Sequence, residues 1–75
     1  MDAQNLVKMA NRIGDFFEAM PDREEGLDGI ATHIKKFWEP RMRRQIWAHI
    51  DAGAEGMHPM VLEAIRKHVP VPAPA

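Results

Sequence analysis

Three prolines do most to limit how this chain can fold. Pro21, Pro40 and Pro59 fall between amphipathic segments. A proline drives the preceding residue out of the helical region and is well suited to open a new helix, so the chain reads as helices divided at these points. With residues placed about 100° apart, as in an α-helix, the segment 3–19 gathers Leu6, Met9, Ala10, Ile13, Phe16, Phe17 and Met20 into an arc of roughly 120°. Lys8, Asn11, Arg12, Asp15 and Glu18 occupy the other side. A second helix begins near residue 22, with Pro21 able to serve as its first residue and Asp22, Glu24 and Glu25 at the positive end of its dipole. Its apolar stripe is Leu27, Ile30, Ala31, Ile34, Phe37 and Trp38, while Gly26 and Gly29 lower its propensity and suit a close helix contact. Pro40 opens a third helix running to about Ala52 and stopping at Gly53, with Met42, Ile46, His49 and Ile50 inward and Trp47 at the stripe's edge or outside it. After the loop "GAEG", Pro59 opens a last short helix with Val61, Leu62, Ile65 and Val69 on one side. No segment alternates with period two. The expected fold is all-α: a small bundle of three to four short amphipathic helices forming a single helical domain over residues 1–69, followed by a flexible or disordered Pro/Ala-rich tail over 70–75.

Size makes such a bundle marginal. A chain of 75 residues buries only about 60% of the surface its unfolded form exposes. With no cysteine, neither disulfides nor thiolate–metal sites can staple it, so the fold rests on its core or on docking. The N-terminal "MDAQNLVKMANRIG" lacks the character of a signal peptide, and no stretch approaches the roughly 20 apolar residues of a membrane span, so the expected location is the cytoplasm. Charge is balanced overall at −1 but segregated: Asp15, Glu18, Asp22, Glu24, Glu25 and Asp28 precede Lys35, Lys36, Arg41, Arg43 and Arg44. A polyphosphate binder usually carries a net positive charge, so a basic-patch helical nucleic-acid-binding protein is the alternative reading and the weaker one.

Chemistry-bearing constellations are sparse. His33, His49, His58 and His68 are spaced by sixteen, nine and ten residues, which places no two imidazoles one turn apart on a helix, and a metal site is not expected. There is no serine, cysteine or tyrosine to act as nucleophile, and Glu24 and Glu25 are explained by the helix dipole. What remains is contact chemistry. Arg43 and Arg44 precede Trp47 by four and three residues, so their guanidinium groups can lie over or beside its indole. Because Trp and Arg dominate binding energies, Arg41, Arg43, Arg44 and Trp47 form a candidate partner surface. Trp38 is better placed as core, although it belongs to the same contact region. Phe16, Phe17 and Met20 add large apolar side chains that so small a core does not readily cover, and some are expected to dock outward on a partner or, in the isolated chain, on a second copy.

The stretches "MANRIGDFF", "HIKKFWEPRMR" and "HPMVLEAIR" closely resemble the small delta subunit of the soluble, cytoplasmic, NAD-dependent formate dehydrogenases of bacteria, over about residues 6 to 67. The resemblance implies a non-catalytic accessory subunit. In that family the large alpha subunit carries a molybdenum or tungsten bis-pyranopterin guanine dinucleotide (Mo/W-bis-MGD) site and iron–sulfur clusters, and beta and gamma subunits pass electrons to FMN and NAD. The implied role is support of assembly, cofactor insertion or stability of the alpha subunit. No catalytic, cofactor or metal residues are expected in this chain itself; the partner interface is expected to use Phe16, Phe17, Trp38, Arg41, Arg43, Arg44 and Trp47.

Overall fold

Polar side-chain caps mark where three of the four helices begin. In the computed structural model, which describes residues 2–72, the Asp2 carboxylate accepts from Asn5 N at 2.8 Å and starts α1, Ala3–Glu18. Asp22 does the same for α2, Arg23–Phe37, its Oδ1 accepting from Glu24 N at 2.9 Å and Glu25 N at 3.3 Å. These bonds satisfy amides that have no partner inside the helix. Pro21 therefore stays outside α2, which starts one residue after its aspartate cap rather than at the proline. Glu24 and Glu25 in the first turn and Lys35 and Lys36 in the last complement the dipole of α2 at both ends.

The other two prolines do open helices. Pro40 is the first residue of α3, Pro40–Asp51, and Pro59 the first of α4, Pro59–His68. His58 caps α4, its Nδ1 accepting from Met60 N at 3.1 Å. Between α3 and α4 the backbone passes through positive φ at Gly53 (121°), Ala54 (56°) and Gly56 (78°). Asn11 of α1 fastens this loop from outside: its Nδ2 donates to Gly56 O at 2.9 Å and its Oδ1 accepts from His58 N at 2.8 Å.

The helices enclose one apolar cluster. α2 packs on α1 and α4, and α1 also touches α3 and α4. Leu6, Leu27, Ile30, Ile34, Ile46, Val61, Ile65 and Val69 are fully buried, and among the described residues no polar or charged residue is buried with them. Three glycines make the close approaches possible. A Cβ on Gly14 would lie 2.5 Å from Val61 Cγ2 and 3.2 Å from the His58 ring, one on Gly26 would lie 2.5 Å from Met60 Cε, and one on Gly29 would clash with the edge of the Phe17 ring. The contacts at Gly26 and Gly29 are the close ones expected of these two residues. The inward stripes of α2, α3 and α4 follow the expected residues, with Phe37 the main exception: it is 64% exposed. Trp38, as the C-cap residue of α2, takes the inward place instead, and the chain then turns at Glu39-Pro40.

After α4, Val69 is buried and Val71 exposed, with no regular structure from Val69 to Pro72. Of the tail expected to be flexible, residues 73–75 lie outside the described residues. No helix among the described residues is long and apolar enough to cross a membrane.

Candidate partner-docking surface

The apolar side of α1 is wider than the core it meets. Buried on this helix are Leu6, Val7, Ala10 and Gly14, an arc of about 100° at 100° per residue. Met9, Ile13, Phe16 and Met20 lie beside it in a further arc of about 60°. Of these four, Met9 and Ile13 are half-buried against the core, Met20 is half-buried just past the helix end, and Phe16 is 73% exposed. The stripe expected to face inward as one set is thus split. The helix is rotated toward Val7 and Gly14, because the bare backbone at Gly14 lets Val61 and His58 of the α4 end come close. Among the described residues the flank left behind is covered only in part, and Phe16 is its open end. Phe17 stays half-buried over Gly29 and holds Phe16 edge-on, ring centroids 5.0 Å apart.

At the far end of α2, exposed Phe37 leans on His33, with ring centroids 4.8 Å apart, and Lys36 Nζ sits 5.7 Å from its ring centre. The basic corner follows at once: Arg41 is exposed, and Arg43 and Arg44 are half-buried. Arg43 Nε is buried without a hydrogen-bond partner among the described residues, a donor the chain itself leaves unused. Trp38 and Trp47 serve the interior. Trp38 is 5% exposed within the core cluster. Trp47 packs half-buried against the core, and its Nε1 donates to Val69 O at 3.2 Å, tying α3 to the segment after α4. The expected interface residues therefore fall into three places: Phe16 and Phe17 at the α1 flank, the arginines at the α3 start, and the two tryptophans inside.

One cluster went unnoticed in the sequence. His58 Nε2 lies 3.0 Å from Glu18 Oε2 and 3.6 Å from Asp15 Oδ1, and the three groups converge closely enough to consider a cation. The cap decides against it. Since His58 Nδ1 accepts from Met60 N, the ring proton sits on Nε2, which faces Glu18 Oε2 at 3.0 Å and has no lone pair for a metal. The signal was hidden because the carboxylates and the imidazole come from segments about forty residues apart.

A second ionic group joins α2 to α4. Arg23 donates to Glu63 at 2.6 Å, and Lys67 lies 3.0 Å from Glu63 and 3.5 Å from Glu24. Hydrogen bonds from Arg23 and then Lys67 hold the Glu63 carboxyl below its ordinary range, and the bond to Glu63 raises both Arg23 and Lys67. A depressed carboxylate contributes stability above its unfolded pKa and loses it as pH falls through the folded value. Thermal melts taken from about pH 7 down to about pH 3 should show the midpoint falling, and Glu63→Gln should make that fall shallower; an identical pH profile in the variant would mean that the pair contributes nothing. The effect is small because these groups are exposed.

An open cleft of about 370 Å³ lies between α1 and the α3–α4 loop, lined by residues including Lys8, Asn11, His49 and Glu55. Two of its polar side chains hold the loop, with His49 Nε2 2.7 Å from Glu55 O and Asn11 bonded to Gly56 O. With no cysteine, this chain supplies no thiolate ligand for an iron–sulfur cluster. The geometry offers contact surfaces instead.

Residues 5–65, which take in most of α1, all of α2 and α3 and most of α4, match the family described as NADH-dependent formate dehydrogenase delta subunit FdsD. No curated protein and no solved structure matches the chain. A match over so much of the chain, on four helices whose sequence already carried the resemblance, settles the family: this protein belongs to the FdsD family of formate dehydrogenase delta subunits.

Proposed function

We propose that the chain is a non-catalytic accessory subunit that docks on the large, molybdenum- or tungsten-bearing subunit of a cytoplasmic NAD-dependent formate dehydrogenase, and through it joins the beta and gamma subunits. The observation that carries this reading is the α1 flank, where Phe16 stands 73% exposed at the head of an apolar strip that the described residues cover only in part. Exposed strips of this kind mark interaction sites. Phe16 is the anchor, with Phe17 fixing its edge-on position, and the basic corner of Arg41, Arg43 and Arg44 supplies the polar rim. The arginine forks suit carboxylates or carbonyl oxygens on the partner. Trp38 and Trp47 act indirectly, by keeping the docking helices in place.

An accessory chain of this kind works by mass action. Binding one folded conformation of the large subunit stabilises that conformation in proportion to the affinity, which supports assembly, cofactor insertion or the lifetime of the loaded subunit. Electron transfer and formate chemistry belong to the other subunits.

The test is co-purification of the tagged chain with the large subunit. Arg41→Glu combined with Arg44→Glu should weaken recovery by about ten-fold and flatten its dependence on salt, with helical circular dichroism unchanged. Recovery equal to the wild type would remove the basic corner from the docking surface.

A further inference from the structure

We propose that the free chain pairs with a second copy of itself, antiparallel, across the partly covered flank of α1 and the adjoining face of α2. The face of α2 nearest the flank is marked by Gly29, on which Phe17 rests. Glu25, Gly29, Thr32, His33 and Lys36 share this side of the helix, within about 100°. The strip is acidic at its start, at Glu25, and basic at its end, at Lys36, the two being eleven residues or roughly 16 Å apart along the helix. It also carries an exposed phenylalanine at each end, Phe16 beside the acidic end and Phe37, leaning on His33 and Lys36, at the basic end.

A strip with this gradient complements itself when turned end for end. A two-fold axis passing midway between residues 30 and 31 sets Glu25 against Lys36 of the second copy, and Lys36 against Glu25. It brings Phe16 and Met20 of each copy toward Phe37 of the other, so the most exposed apolar side chains are covered together. A closed two-fold pair leaves no strip free for a third copy. The net charge of −1 sets no barrier to association. The pairing concerns the free chain and does not rest on the docking reading; where both hold, the large subunit displaces the second copy.

The experiment is sedimentation equilibrium of the full chain over about a hundred-fold concentration range, at about 0.05 and about 0.5 M NaCl, with helicity followed by circular dichroism. The wild type should sediment as a monomer–dimer equilibrium that weakens at the higher salt. Phe16→Gln should weaken it by more than about thirty-fold, because the two-fold removes an aromatic anchor at both ends of the interface at once. Glu25→Lys alone and Lys36→Glu alone should each weaken it by about ten-fold, since two facing pairs become repulsive. The double variant Glu25→Lys with Lys36→Glu should return to within about three-fold of the wild type. A chain that is monomeric throughout, a dimer indifferent to Phe16→Gln, or a double variant no tighter than the single ones would overturn the proposal.

Discussion

Replacing Trp38 by alanine should unfold the chain at temperatures where the wild type is fully folded. Trp38 sits at the C-cap of α2 with its amide bonded to Ile34 O and its side chain 5% exposed in the shared core. Truncating a buried tryptophan costs about 3–5 kcal/mol. A 75-residue chain has only about 4–11 kcal/mol to lose. Each kcal/mol moves the midpoint of so small a protein by about 4–8 °C, so the melt should shift down by at least 12 °C or so. Phe37 is the control, one residue away and 64% exposed: Phe37→Ala should stay within about 0.5 kcal/mol. Equal melts for the two variants would mean that Trp38 is not the interior residue described here. The pair also separates stability from docking, since Trp38→Ala should lose the large subunit only because the surface that binds it has melted.

Phe16→Gln should do the reverse, leaving the melt nearly unchanged while abolishing docking. The ring lies outside the core cluster, and glutamine is a good helix former without added charge beside Asp15 and Glu18. Loss of an aromatic anchor at the centre of an interface typically costs 2 kcal/mol or more, about thirty-fold in affinity. Co-purification with the large subunit should therefore fall below detection at concentrations where the wild type is recovered. Normal recovery would move the docking surface away from α1.

Much of this architecture is legible in the residues because local chemistry decides it. The prolines and aspartates mark the helix starts, and three of the four apolar stripes name their own buried face: Leu27, Ile30 and Ile34; Ile46 and Ile50; Val61 and Ile65. What escapes is what depends on neighbours. On α1 the apolar residues span nearly half the helix, and periodicity cannot say which half meets the bundle. That choice falls to Gly14, which carries no hydropathy signal and acts by letting Val61 and His58 come close. Phe37 looked like part of an inward stripe and is exposed, while Phe16, in the α1 stripe but expected among the outward-docking residues, is exposed as well. Trp47 looked like an outward residue and is held by Val69 O, a bond set by where the end of α4 meets α3. The approach of His58 to Asp15 and Glu18 needs the α1–α4 crossing, which no local pattern announces. Membership of the delta-subunit family was carried by "MANRIGDFF", "HIKKFWEPRMR" and "HPMVLEAIR", which hold both the core positions and the exposed ones.

If the large subunit covers the flank of α1, hydrogen exchange followed by mass spectrometry will show it when the complex is compared with the free chain kept dilute enough to be monomeric. Added protection should concentrate over residues 9–20, with a second, weaker zone around Arg41. Unchanged exchange over residues 9–20, with protection falling instead on α4 or the α3–α4 loop, would contradict docking through this flank.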